Sequence, residues 1–172
     1  MSRIGVAIAV PEPYGAELQR HRASFGDPRA YAIPTHITLL APTSVYDADV
    51  PDLESHLDKV ASSHAPFVVR LHGTGSFRPV SPVVFVAMAE GIADCETLAD
   101  AVRSGPLARE LTFPYHPHVT VAHDLPDAKL QAAAEALAEY SATFEARSFC
   151  LYIHGDDWVW RPHREFTFLT GG

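Results

Sequence analysis

The sequence predicts a single domain of mixed helices and strands, built from one unit that occurs twice. Three observations support this prediction. The chain has 172 residues, 47% of them apolar, which is enough to bury one core. Predicted strands and helices follow the order β-α-β-α-β in each half. Similar text, His36-Ile37-Thr38 and His118-Val119-Thr120, lies at a corresponding point of each half. We therefore place one bilobal domain over residues 1–172, with pseudo-repeats of about 1–75 and 76–172.

The first half contains five predicted elements. In chain order these are a strand over residues 4–10, a helix over 14–25, a strand over 35–40, a helix over 50–63 and a strand over 67–71. The second helix has the strongest pattern, because Leu53, Leu57 and Val60 recur at helical spacing and Pro51 suits a first turn.

The second half repeats this order and adds one strand. Its predicted elements are a strand over residues 83–88, a helix from an Asp94 cap to residue 108, a strand around 119–121, a helix over 127–140 and a strand over 143–152. The turn signal Gly155-Asp156-Asp157 then predicts a hairpin that closes with a last strand over residues 159–169.

The repeated His-x-Thr motif predicts an acid/base site. Side chains alternate along a strand, so His36 and Thr38 share one face, and His118 and Thr120 share the corresponding face in the second half. If the halves are related by a pseudo-twofold axis, both faces line one groove. One neutral imidazole can then take a proton while one imidazolium donates a proton, and the Thr hydroxyls can hold phosphate oxygens.

The charge pattern limits which classes of substrate are expected. The chain has 13 Lys+Arg against 21 Asp+Glu, a formal net charge of −8, and no basic run. A protein that grips long duplex nucleic acid usually has a basic face, so a nucleotide or a short RNA end is the expected partner. Two cysteines without a C-x-x-C spacing, and no segment long enough for a signal or a membrane span, predict a cytoplasmic protein without membrane contact.

The text around the two motifs resembles the 2H phosphoesterase superfamily, which includes the 2′-5′ RNA ligase-like proteins and the cyclic phosphodiesterases. The resemblance lies in residues 34–42 (PTHITLLAP), in residues 116–123 (HPHVTVAH) and in Gly75-Ser76-Phe77, and the order of elements matches over nearly the whole chain.

The resemblance implies an α+β fold in which two antiparallel sheets flank a central cleft with helices outside. It also implies cleavage, or reversible joining, of 2′,3′-cyclic or 2′-5′ phosphodiesters without a metal or other cofactor. Carried over by motif, His36 with Thr38 and His118 with Thr120 are the catalytic pairs.

Three further residues are expected to bind substrate. Phe77 could stack on a base, Arg78 could hold a terminal phosphate, and Tyr115 could line the cleft entrance. Each also has a purely structural interpretation, in a packed loop or as a solvated arginine. The aromatic and arginine residues of the last hairpin, Trp158 and Trp160 among them, favour sheet packing over stacking on a nucleotide.

Two other functions remain open. The same fold could serve as a non-catalytic module that binds nucleotides or RNA ends, although the two intact His-x-Thr motifs favour catalysis. A histidine-metal hydrolase could use His116 and His118, but Pro117 between them and the absence of a carboxylate at ligand spacing disfavour it. We expect a monomer.

Overall fold

The computed structural model describes residues 1–169 and contains eight strands and four α-helices in that range. The first half consists of β1 (Ser2–Ala9), α1 (Tyr14–Ser24), β2 (His36–Val45), α2 (Val50–Ser62) and β3 (Phe67–Ser76). The second consists of β4 (Val83–Glu90), α3 (Ile92–Val102), β5 (His118–His123), α4 (Asp127–Ala136) and β6 (Ser141–Ala146), followed by β7 (Ser148–His154) and β8 (Trp160–Thr167).

The strands form two four-stranded antiparallel sheets. The first has the order β2-β1-β7-β8 and the second the order β5-β4-β3-β6. This confirms the α+β fold with two antiparallel sheets. The strands that carry the two His-x-Thr motifs, β2 and β5, are edge strands of their sheets and contact each other. A cleft therefore lies between two edges that both present polar side chains.

The two halves exchange strands between the sheets. Strand β3 of the first half pairs with β4 and β6, and β7 of the second half pairs with β1. Each sheet thus contains strands from both halves of the chain, and a contiguous cluster of buried apolar side chains includes residues of both sheets. The internal duplication of residues 1–75 and 76–172 stays a prediction.

The helices pack on the sheets through their apolar stripes. In α2, Leu53, Leu57 and Val60 are buried, as their spacing predicts. Helix α2 contacts α3 and β8, α3 contacts β2, α1 contacts β5, and α4 contacts β3 and β4. No helix among residues 1–169 has the length and apolar character needed to cross a membrane.

The predicted strand over residues 143–152 is wrong, because the structure has two strands there. Strand β6 ends at Ala146 and β7 begins at Ser148, so the chain leaves one sheet and enters the other at Arg147. No Gly or Pro marks this point in the sequence. The switch is fixed by pairing, since the carbonyl of Arg147 accepts a hydrogen bond from the amide of Phe168.

Two predicted helices are shorter than expected. Helix α3 begins at Ile92 after a left-handed Gly91, not at an Asp94 cap, and ends at Val102. Gly105 and Pro106 follow, and proline cannot continue a helix because it lacks the amide hydrogen. Helix α4 ends at Ala136, and its last predicted turn forms hydrogen-bonded turns up to Tyr140.

Candidate active site

The first motif lies at the start of β2. Ile37 and Leu39 are fully buried in the core, whereas His36 and Thr38 are half-buried on the opposite face. The alternation arises because successive side chains of a strand point to opposite faces. The apolar positions therefore anchor the strand, and the polar positions face the cleft.

The second motif repeats this arrangement at the start of β5. Val119 and Val121 are fully buried, and His118 and Thr120 are half-buried. The cross-strand register is also the same, because His36 pairs with Ala9 of β1 and His118 pairs with Ala87 of β4. An alanine beside each imidazole leaves room for the ring.

Each motif histidine makes the same backbone hydrogen bond. Nδ1 of His36 lies 2.7 Å from the carbonyl oxygen of Pro34, and Nδ1 of His118 lies 2.7 Å from that of His116. A carbonyl oxygen only accepts, so each Nδ1 must carry a hydrogen. In the neutral ring the lone pair is then on Nε2. Both histidines are thereby oriented by their own chain and hold Nε2 available for proton transfer.

All four motif side chains line one cavity of about 430 Å³. Its other polar and charged lining residues come from both halves and are Arg3, Arg22, Arg29, Ser81, His123 and His154. Cavities of this size are typical of small-molecule sites. The structure thus brings the two motifs together.

The cavity is cationic although the protein has a net charge of −8. Three arginines line it, and no Asp or Glu is among its lining residues in the described range. Arg22 is itself buried and donates a 2.7 Å hydrogen bond from Nε to Asp27. A phosphate would therefore meet positive charge at this place without any basic surface elsewhere.

The histidine pKa values respond to this environment. The pKa of His36 is lowered to about 4, mainly by desolvation on burial; the bond to Pro34 opposes this, and Arg22, His118 and His154 add to it. Desolvation also lowers the pKa of His118, and the nearby His116 adds to the effect. Both rings are consequently neutral at pH 7.

Aromatic neighbours hold the first histidine. The Trp160 ring lies 4.4 Å from the His36 ring and stacks at 4.1 Å on His154, so it stands between the two imidazoles. Gly5 of β1 makes this packing possible, because a Cβ there would come within 2.8 Å of Nε2 of His154.

Phenylalanines hold the second histidine. The Phe77 ring lies edge-on at 4.9 Å from His118, and the Phe85 ring lies at 5.2 Å. Gly75 of β3 has the same role here as Gly5 in the first sheet, since its Cβ would meet the Phe85 ring at 2.7 Å.

The three residues expected to bind substrate have different positions. Phe77 lines the cavity beside His118. Arg78 lies outside it, because its side chain is directed to the Ser76 hydroxyl at 2.9 Å and to Gln131 at 3.3 Å. Tyr115 is not a lining residue either. Its hydroxyl donates to the Thr38 carbonyl at 2.6 Å, and burial raises its pKa.

Several cavity residues were not predicted. Arg3 had a usable signal, since Arg3, Gly5 and Ala7 alternate with the large apolar residues Ile4, Val6 and Ile8 of β1 and lie on the other face of the strand. Arg22 and Arg29 had none, because no pattern in α1 or in the loop between α1 and β2 indicates that they line the cleft. Trp160 was expected to pack within the sheet, and it does so while also contacting His36.

The metal interpretation rested on His116 and His118. Their ring centroids are 5.9 Å apart, and Nδ1 of His118 is bonded to the His116 carbonyl. Within residues 1–169, no group of three or more His, Cys, Asp or Glu side chains is arranged to hold a metal ion.

Two equivalent His-x-Thr edge strands that face each other across a cationic cavity define the class of 2H phosphoesterases. A family model described as the 2′-5′ RNA ligase superfamily matches residues 10–158, most of the chain. The protein belongs to this family, which confirms the resemblance stated from the motifs.

Similar proteins agree with this assignment. A protein of Bacillus thuringiensis (strain Al Hakam) named "Putative phosphoesterase" is 30% identical over 147 residues, with 84% of this chain and 85% of that protein covered. A crystal structure described only as a phosphoesterase has a TM-score of 0.71 at 20% identity, covering 99% of both chains. E. coli LigT complexed with NADP+ has a TM-score of 0.70 at 21% identity, covering 98% and 99%. These structures share the fold.

Proposed function

We propose that this protein is a phosphodiesterase that cleaves, or reversibly joins, 2′,3′-cyclic or 2′-5′ phosphodiesters of nucleotides or short RNA ends. The observation that supports it most is the matched orientation of His36 and His118, each with Nδ1 bonded to a backbone carbonyl and each lining the same cationic cavity. Fixed tautomers and a positive cavity with room for a phosphodiester are what two-histidine acid/base chemistry requires.

The reaction needs one base and one acid. Nε2 of one neutral histidine takes a proton from the attacking water, whose oxygen bonds to phosphorus. Nε2 of the other histidine, protonated, gives its proton to the ribose oxygen whose bond to phosphorus breaks. The two histidines end with exchanged protons and return to their starting states through solvent. All proton transfers use side chains of this chain, so the scheme requires no metal.

The surroundings favour His36 as the base in hydrolysis. Desolvation by burial, with a smaller contribution from Arg22, lowers its pKa to about 4, so it is neutral well above that pH. The causes that lower the pKa of His118 include no arginine. A bound phosphate anion beside His118 would raise its pKa and allow it to act as the acid.

Thr38 and Thr120 complete the proposed site. Their hydroxyls share the cavity with the histidines and can donate to the non-bridging oxygens, while the arginines neutralise the charge that develops there. The monomeric state and the cytoplasmic location stay predictions of the sequence.

The known structures support a nucleotide as the substrate class. E. coli LigT, which has the same fold with a TM-score of 0.68 at 19% identity over 97% of this chain and 98% of that chain, has been crystallised with 3′-AMP. The cavity described above has the charge that such a phosphate requires.

The test is turnover of nucleoside 2′,3′-cyclic phosphates in excess EDTA by the parent protein, His36→Asn and His118→Asn. Asparagine keeps a donor near the position of Nδ1 but cannot act as acid or base. Each variant should lose about 10²–10⁴-fold in kcat. His72→Asn is the matched control, since His72 is exposed on β3 and lies outside the cavity.

Three results would contradict the proposal. Inactivity of the parent on both cyclic and 2′-5′ substrates, with nucleotide binding retained, would favour the non-catalytic module. Activity that EDTA removes would indicate a metal hydrolase. Full activity of either motif variant would exclude the two-histidine mechanism.

A further inference from the structure

A second cavity adjoins the first. It has a volume of about 540 Å³ and shares four lining residues with the catalytic cavity, namely Arg3, His154, Gly155 and Trp158. The four shared wall residues, the half-exposed Trp158 among them, place the two cavities side by side. A ligand whose phosphate lies between His36 and His118 can therefore extend past Arg3 into the second cavity.

The two cavities differ in charge. The catalytic cavity has three arginines and no carboxylate among its described lining residues. The second cavity shares Arg3 and His154 with the first and adds the Asp156 carboxylate, the hydroxyls of Ser2 and Ser44, and Met1, whose terminal ammonium is paired with Asp47. A carboxylate repels a second phosphate but accepts hydrogen bonds from sugar hydroxyls. The second cavity thus suits an uncharged polar group.

Trp158 lies at the boundary of the two cavities, and both its exposure and its backbone conformation are unusual. Its side chain is 54% exposed, and its φ of 65° lies in the left-handed region that bulky residues rarely adopt. By itself, an exposed tryptophan in a sparsely populated backbone conformation lowers the stability of the folded protein. Such residues concentrate where a ligand uses them.

The turn that carries Trp158 is held in place before any ligand binds. The amide of Trp158 donates to the Gly155 carbonyl, and the Asp157 carboxylate accepts from the Val159 amide and twice from Arg161. The Arg29 guanidinium lies 4.2 Å from the Trp158 ring centroid. The ring is therefore a preorganised flat surface with a cation against it.

We propose that the second cavity is a nucleoside subsite in which Trp158 stacks on a base, so that the protein prefers dinucleoside monophosphates to cyclic mononucleotides. The inference rests on the proposed function, which places the scissile phosphate in the first cavity. It specifies which of the possible phosphodiesters fills both cavities: two nucleosides joined by one phosphate.

The kinetic test compares 2′-5′-linked diadenosine monophosphate with adenosine 2′,3′-cyclic phosphate. Trp158→Asn removes the aromatic ring, and asparagine tolerates the left-handed conformation. The kcat/KM ratio of dinucleotide to cyclic nucleotide should fall roughly ten- to hundredfold, as expected for loss of one stacked base. Trp158→Tyr should restore most of the ratio, and Ser44→Trp should lower it by filling the cavity.

Tyr46→Asn is the matched control, because Tyr46 is an exposed aromatic residue that lines neither cavity. An unchanged ratio in both Trp158→Asn and Ser44→Trp, with the parent active, would overturn the subsite and leave the proposed function intact.

A binding experiment tests the subsite without requiring turnover. The His36→Asn/His118→Asn double variant is titrated with the dinucleotide and with 3′-AMP. Addition of Trp158→Asn should weaken dinucleotide binding roughly tenfold or more and change 3′-AMP binding much less. Equal weakening of both, or of neither, would contradict the subsite even if the parent cleaves no substrate.

Discussion

Strands β2 and β5 present the same side chains to the cleft, but they hold them in different surroundings. His36 lies against Trp160, near His154 and the buried Arg22–Asp27 ion pair. His118 lies among Phe77, Phe85 and His116. The backbone geometry of the two motifs is equivalent and the electrostatics is not. In the proposed mechanism, this difference lets two similar motifs supply one base and one acid, since neighbours rather than the motif set each pKa.

The largest effect on kcat expected in this comparison comes from the two threonines. Substituting them tests whether the two halves contribute equally to holding the phosphate. Thr38→Val and Thr120→Val each remove a hydroxyl at nearly constant volume. Each should lower kcat by about 10²–10³-fold, the usual loss for one donor to a developing oxyanion. Steady-state kinetics at saturating substrate checks this. A twofold change in one variant beside a large change in the other would show that only one half positions phosphate.

A second prediction concerns pH. The rate kcat/KM should fall on the acidic side as the base becomes protonated near pH 4, and on the basic side as the acid loses its proton, at a pH below the ordinary pKa of histidine. Arg22→Met with Asp27→Leu removes the ion pair without leaving either charge buried alone. The acidic limb should then move to higher pH, because the arginine no longer lowers the pKa of His36.

The basic limb is the internal control of that experiment. His118 lies away from the ion pair, so the basic limb should stay in place. Histidine titration by NMR separates the two rings directly. Movement of both limbs together would indicate that the rings titrate as one coupled pair, and the assignment of His36 as base would fail.

The smallest effects concern the two glycines beneath the aromatic side chains. Gly5→Ala would push against His154, and Gly75→Ala against the Phe85 ring. Each should destabilise the protein by about 1–3 kcal/mol, as overpacking usually does. Urea unfolding measures this. NMR of the variants should show Gly5→Ala disturbing His36 and Gly75→Ala disturbing His118. The reverse pattern would contradict the packing described here.

Much of the fold follows from patterns that the sequence displays. The alternation around His36 and His118, the apolar stripe of α2 and the turn before β8 all predict elements that the structure confirms. One failure has a cause that no local pattern shows. The strand break at Arg147 depends on which sheet offers a partner, and pairing between distant strands leaves no local mark.

The residues of the candidate site likewise fall into those that the sequence predicts and those that only the structure shows. The sequence by itself was enough to identify the two His-x-Thr motifs, because strand periodicity and a repeated motif are visible without knowledge of the fold. Only the tertiary structure decided that Arg22 and Arg29 join them, that Arg78 and Tyr115 do not, and that Trp158 borders a second cavity. The physical reason is that charge and burial at a site depend on which distant segments come together, and no spacing along the chain specifies that.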